Sequence, residues 1–251
     1  MKKIFLTTCF LCIFHFIKAQ KLPPIQLDRP DQTECPFIVP KKHFQAEIVF
    51  LHEKTNAETS SFLLPGALWK YGVNDNFELR LITEFETIKS AGSKAITGLQ
   101  PIKIGFKSRL CEENGLIPKT SFIGHIALPT IAAEEFKGSF YAPSFRFTMQ
   151  HSLSKNISLA YNLGAEWDGE TPEPTFIYTL TTGFALTEKL GAYMELYGFA
   201  PQRDKAAHNI DGGFTYLLRN NIMIDISGGI GLTNNAPNYY TALGFSFRLK
   251  D

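Results

Sequence analysis

At 251 residues the chain is long enough for one sizeable domain, and 25 basic residues against 24 acidic ones leave a formal net charge of +1. Acids and bases are mixed along its length, which argues against the one-sided basic footprint of a nucleic-acid binder. Aromatic residues make up 13%, with 22 Phe among them, the bias of a β-rich or membrane-contacting chain.

The first element in chain order is MKKIFLTTCFLCIFHFIKAQ. Two lysines precede an apolar run from Ile4 to Ile17, and Lys18-Ala19-Gln20 follows. This is the layout of a secretory signal peptide over residues 1–20, with removal expected near Ala19 or Gln20. The run falls short of the ~20 apolar residues that a spanning helix needs. Cys9 and Cys12 lie inside it, so the mature chain keeps Cys35 and Cys111, too few for a disulfide framework; a single bridge between them stays open as an alternative. No later apolar stretch is long enough for a bilayer helix, so a membrane-crossing form of this chain is a barrel. Residues 21–40, KLPPIQLDRPDQTECPFIVP, are rich in Pro and charge and lack a strand pattern. They read either as a periplasmic lead-in or as a partial plug folded into a lumen.

From residue 41 to 251 the chain alternates with period two. About twelve segments of roughly nine to fourteen residues appear, centred near Glu47, Leu64, Leu81, Gly105, Gly124, Arg146, Tyr161, Leu180, Met194, Phe214, Ile226 and Phe245. Soluble strands average ~5–6 residues, whereas ~9–11 cross a bilayer at a tilt. The connections differ by end. HEKTNAETSS, TIKSAGSKAITG, TIAAEEFKGS, WDGETPEP, PQRDKAAHN and TNNAPN are polar and extended, while GVNDN, LSKN, TEK and LRNN are tight and CEENGLIPK is longer than its class. Short periplasmic turns and longer outer loops are the mark of outer-membrane barrels. The pattern therefore predicts an all-β fold, an antiparallel up-and-down transmembrane β-barrel of about 12 strands. Trp69 and Tyr71 fall at the inner rim, with Trp167, Tyr239 and Tyr240 near the outer rim, as girdle residues do.

The segment NFELRLITEF shows what each face meets. Phe77, Leu79, Leu81 and Phe85 share one side, expected to face lipid; Glu78, Arg80, Ile82 and Glu84 share the other, expected to face a lumen. The next strand brings Lys103, Lys107 and Arg109 inward. A hairpin joined near Gly92 sets Glu84 by Lys103 and Glu78 by Arg109, a charge ladder that pins register. Arg146, Glu166, Glu195, Asp225 and Arg248 extend the lining with both signs. Either the ladder is a neutralised strut in the wall or it also shapes a constriction.

Two stretches carry a family resemblance: LDRPDQTECPFIVPKKHFQAEIVF and LLPGALWKYGVNDNFELRL. Asp28-Arg29-Pro30-Asp31, Val39-Pro40 ahead of a strand with Gln45 and Glu47, and the Tyr71–Arg80 hairpin resemble the MetA-type phenol-degradation meta-pathway family of outer-membrane proteins. The resemblance implies a transporter-like outer-membrane barrel with phenolic or other small hydrophobic cargo. The Ala19-Gln20 ending of the leader is similar to that of exported proteins of Bacteroidota. The last strand, NYYTALGFSFRLK, resembles the sorting signal read by barrel-assembly machinery, although Lys250 and Asp251 follow where many such proteins stop at Phe.

Chemistry has little to work with. His151-Ser152 falls at a predicted periplasmic turn without a nucleophile elbow, and His125 reads as lumen lining. Asp168, Glu170 and Glu173 offer oxygens in an exposed loop, and no His/Cys spacing suggests zinc or iron. The expectation is no enzyme, no metal and no cofactor. The partners expected are outer-membrane lipid, the assembly machinery and a small-molecule solute, aromatic or hydrophobic ones included, in passive passage. A closed structural or adhesive barrel that binds a partner through its outer loops is the alternative.

Overall fold

The computed structural model describes residues 22–250, so the leader expected over residues 1–20 lies outside the described residues. Thirteen strands follow one another: β1 (His43–Lys54), β2 (Thr59–Asn74), β3 (Phe77–Ser90), β4 (Ile96–Leu99), β5 (Lys103–Cys111), β6 (Lys119–Ala127), β7 (Ala142–Ser152), β8 (Ile157–Glu166), β9 (Thr175–Ala185), β10 (Leu190–Pro201), β11 (Ala207–Arg219), β12 (Ile222–Gly231) and β13 (Tyr239–Lys250). A single 3-10 turn, Glu134–Phe136, interrupts the β6–β7 loop.

Neighbours in sequence pair antiparallel, and β13 returns to pair with β1 from Lys54↔Tyr239 to His43↔Lys250, which closes the sheet. The wall has twelve positions because β4 and β5 share one. β4 pairs with the outer part of β3 (Phe85↔Leu99) and β5 with its inner part (Ile82↔Lys103). Between them stands Gln100-Pro101-Ile102, where Pro101 has no N–H to give the ladder. Each expected strand centre lies within a strand. The β2–β3 turn is two residues long, with Asn74 Oδ1 accepting from Asn76 N (2.8 Å), and the long β6–β7 and β8–β9 loops lie at the opposite end.

The two faces are inverted relative to a soluble protein. Glu47, Glu78, Lys107, Ser121 and Asn162 are fully enclosed, while Leu79, Leu163, Met194 and Leu243 are each more than half exposed. An apolar belt of that extent is stable only against lipid. Leu79, Leu81 and Phe85 belong to it, whereas Glu78 and Arg80 are buried inside. In β13, Tyr239, Leu243, Phe245 and Leu249 point outward.

Two local expectations fail. The β3–β5 register is two residues from the expected one: Glu78 lies opposite Lys107, and Arg109 instead pairs with Glu112 (2.7 Å). The irregular Gln100–Ile102 stretch sets this register rather than a simple hairpin at Gly92. Tyr240 is also not a girdle residue. Its neighbour Tyr239 takes the outward place, so parity turns Tyr240 inward, where it is buried and donates to Asp211.

The described N-terminal segment runs inside the barrel. Arg248 donates to Pro23 O (2.7 Å) and Ile25 N to Asn220 O in the β11–β12 turn (2.8 Å), so the segment starts at the short-turn end. It climbs past Asp28, crosses the lumen at Gln32–Glu34, and descends to Lys42, whose N–H donates to Gly72 O (2.8 Å). Ile25, Asp28, Thr33 and Val39 are buried.

Candidate functional site

The lumen and the segment threaded through it form the candidate site. On the β1–β6 side its centre is Asp28. Lys70 and Arg80 each donate to Asp28 Oδ2 at 2.8 Å, and Lys107 donates to Oδ1 at 2.5 Å. Lys70 also pairs with Glu47, and Arg80 with Glu34 and Glu78 (3.1 Å). The carboxylates in turn hold the segment's backbone: Glu47 accepts from Asp28 N (2.9 Å) and Glu78 from Val39 N (2.7 Å). Lys107 donates to Cys35 O (2.8 Å) and Ser121 to Pro36 O (2.7 Å).

Burial opposes the Asp28 carboxylate, but Lys107, Lys70 and Arg80 together outweigh it and hold it well below the usual carboxylate range. Burial likewise opposes Glu34, and Arg80 lowers it overall. Cys35 and Cys111 are both free thiols, and burial raises that of Cys35.

The other side of the segment meets β7–β10. Arg146 donates to Gln32 O (2.8 Å), Asn162 exchanges hydrogen bonds with the Glu34 backbone (2.7 and 3.0 Å), and Glu195 accepts from Gln32 N (2.7 Å) and Thr33 Oγ1 (2.5 Å). Asp31 is different in kind from Asp28. Burial, followed by the charges of Glu195 and Asp211, pushes it well above the usual range.

Among the residues expected in the lining, the fold therefore brings Glu78, Arg80 and Lys107 into one network, with Arg146 and Glu195 on the same segment. Glu84 and Lys103 form a separate pair at 3.2 Å nearer the long loops, with side chains 29% and 40% exposed. Arg109 is drawn away to Glu112, and no ion pair among the described residues includes Glu166 or Asp225. Asp225 is buried with neither carboxylate oxygen hydrogen-bonded. His125 accepts from Arg80 Nε (3.1 Å).

Asp28, Glu34, Glu47, Lys70 and Asp211 were not among the residues expected in the lining, although Asp28 and Glu47 carry the family resemblance. Parity alone places Glu47, Lys70 and Asp211 inward; Asp28 and Glu34 sit in a stretch with no period. Asp168 caps its own loop by accepting from Thr171 N (2.9 Å), Glu170 ties the β8–β9 loop to the β6–β7 loop by accepting from Ser139 N (2.9 Å), and Glu173 pairs with Arg203 (2.6 Å).

The segment divides the inner mouth into two cavities. One, of about 480 Å³, lies against β8–β11 and reaches Asp31, Thr33, Thr181 and Tyr193. The other, of about 340 Å³, is lined by Phe37, Val39, Gln45, Lys70, Arg109 and Arg248 among others.

Over residues 27–249 the sequence matches the family described as "Putative MetA-pathway of phenol degradation". The chain belongs to that family. Solved structures similar to this MetA-pathway family member include an outer membrane channel from Pseudomonas putida F1, with a TM-score of 0.68 at 12% identity over 89% of this chain and 100% of that one. The NanC porin follows at 0.56 and 9% identity, over 81% of this chain and 100% of that one. The KdgM porin gives 0.51 at 10% identity, over 80% and 98%. At these identities the likeness is one of fold. No curated protein matches the sequence significantly.

Proposed function

We propose that this protein is a passive outer-membrane channel for a small solute, aromatic or hydrophobic ones included. The carrying observation is a closed barrel whose polar lumen holds a threaded segment and yet keeps cavities of about 480 and 340 Å³ beside it. Membership of the MetA-pathway family supports the same reading. On this reading Glu78, Arg80 and Lys107 hold the constriction by fixing the segment, and Glu84 and Lys103 line the wider approach from the long-loop end. Export by the leader and insertion by the assembly machinery complete it.

Purified protein in a planar bilayer tests the reading. Stepwise currents are expected, together with recovery in the outer-membrane fraction and altered gel migration before boiling. A folded but silent protein sinks it and favours a closed structural barrel, the reading that the ion-paired Asp28 supports on its own.

A further inference from the structure

Across the lumen from Asp28, the middle of the β9–β13 wall gathers acids that no base pairs with. Cross-strand register sets Glu195 directly opposite Asp211, both inward and both buried, and the threaded segment brings Asp31 to the same place. Like charges facing one another across a strand pair are unfavourable. Hydroxyls and one backbone amide answer them: Thr33 and Thr181 donate to Glu195 (2.5 and 2.9 Å), Gln32 N donates to Glu195 (2.7 Å) and Tyr240 donates to Asp211 (2.5 Å). Among the described residues no lysine, arginine or histidine forms an ion pair with Asp31, Glu195 or Asp211.

Three further observations make this a site rather than a cluster. Asp211 and Tyr193 are 6% and 8% exposed, and Asp211 Oδ1 and the Tyr193 hydroxyl have no hydrogen-bond partner among the described residues. Two glycines clear space for the rings beside them. A Cβ at Gly213 would lie 2.7 Å from Tyr193 Cε1, and one at Gly229 would lie 2.5 Å from Tyr240 Cε1 and 2.7 Å from Asp211 Cβ. Finally, the cavity of about 480 Å³ leads from the inner mouth to Asp31, Thr33, Thr181 and Tyr193.

We propose that this acid-and-tyrosine pocket binds a small protonated organic amine, the solute class of the channel. The inference rests on the channel reading for passage, while the binding site is measurable without it. The Tyr193 phenol oxygen, at the cavity wall, and Asp211 Oδ1, behind that wall, both lack a hydrogen-bond partner among the described residues and can accept from an ammonium group that enters by the cavity. A bare metal ion fits less well, because among the described residues no three carboxylate, imidazole or thiol groups converge as metal ligands do. An ammonium carried on an aromatic or aliphatic body spreads its contacts over the acids and the rings. Burial first, and then Glu195 and Asp211, push the Asp31 carboxyl up, so its charged form gains from a cation placed beside it.

Isothermal titration of the full chain in detergent, with benzylamine as the probe and benzyl alcohol and benzoate beside it, tests this. Protonated benzylamine is expected to bind, benzyl alcohol much more weakly and benzoate least. Asp211→Asn removes the free carboxylate and is expected to weaken benzylamine by roughly tenfold or more. Should that variant fail to fold, Tyr193→Phe deletes only the unpartnered hydroxyl and is expected to weaken binding in the same direction. Equal binding of all three probes, no binding of benzylamine, or variants that bind as wild type overturn the proposal. Bilayer currents separate the two readings. A silent protein that binds benzylamine ends the channel reading and keeps the site, whereas a conducting protein that ignores benzylamine ends the site alone.

Discussion

The two halves of the lumen wall use one device for opposite ends. On the β3–β6 side Arg80, Gly105 and His125 lie in register across three strands, and on the β11–β13 side Asp211, Gly229 and Tyr240 do the same. In each case the glycine between two inward side chains lets them meet over it: a Cβ at Gly105 would lie 2.3 Å from His125 Cδ2 and 2.2 Å from Gly124 O. The charge differs. Around Asp28 every buried acid has a buried base within an ion pair; around Asp211 the acids have hydroxyls and a backbone amide but no base in an ion pair. The chain thus carries one wall whose buried acids are ion-paired and another whose buried acids are not, and both hold the threaded segment, the second through Glu195, Asn162 and Arg146.

The strongest way to break this contrast is Asp28→Asn. It leaves Lys70, Arg80 and Lys107 buried with one counter-charge fewer, and losing one partner of a buried ion pair costs about 3–5 kcal/mol. The expected result is release of residues 22–40 from the lumen, read as new cleavage in limited proteolysis and larger bilayer currents. A segment as protected as wild type would mean that the ion pairs do not hold it.

Asp31→Asn should act in the opposite direction, leaving docking unchanged or tighter by up to about 1 kcal/mol, since it removes a like charge beside Glu195 and Asp211. The pH dependence sharpens the point. An unfolded Asp titrates near ~3.9; Asp31 sits above that when folded, so its proton favours docking in acid and the benefit is lost as pH rises through the raised value. Asp28 and Glu34 sit below their unfolded values, so their contribution is present above about pH 4 and is lost as pH falls through the lowered ones. Hydrogen-exchange protection factors for residues 22–40 are therefore expected to fall toward strong acid, where Asp28 and Glu34 lose their charge, and to fall again toward alkaline pH, where Asp31 loses its proton. In Asp31→Asn the decline toward alkaline pH should flatten; a decline as steep as wild type would assign it to another group.

The smallest effect belongs to the wet pair. Glu84 and Lys103 are 3.2 Å apart with partly exposed side chains, so Glu84→Gln is expected to cost under about 1 kcal/mol in an unfolding titration. Freed of its partner, Lys103 should move the reversal potential under a salt gradient toward anions.

The fold was largely legible because the period of two repeats in every wall strand, and strand length together with loop asymmetry separate a lipid-facing wall from a soluble sandwich. Parity was enough to turn Glu78, Arg80 and Lys107 inward. It was not enough to choose between Lys107 and Arg109 as the partner of Glu78, because both have the same parity and the Gln100–Ile102 break sets the offset. Tyr239 and Tyr240 show the same limit: both suit a girdle, and only the pleat decides which one points outward. Residues 21–40 gave no period at all. Asp28 finds Lys70, Arg80 and Lys107 on three strands far along the chain, a meeting that local pattern does not encode.

The seam between β1 and β13 also orders events in time. No enclosed lumen exists until the first and last strands pair, and the threaded segment hangs directly from β1. Its contacts with β10, such as Gln32 with Glu195, join residues 163 apart in sequence. The Asp28 contacts with β2, β3 and β5 join nearer parts of the chain, so the β10 contacts and the β1–β13 seam carry the larger loop-closure cost in entropy.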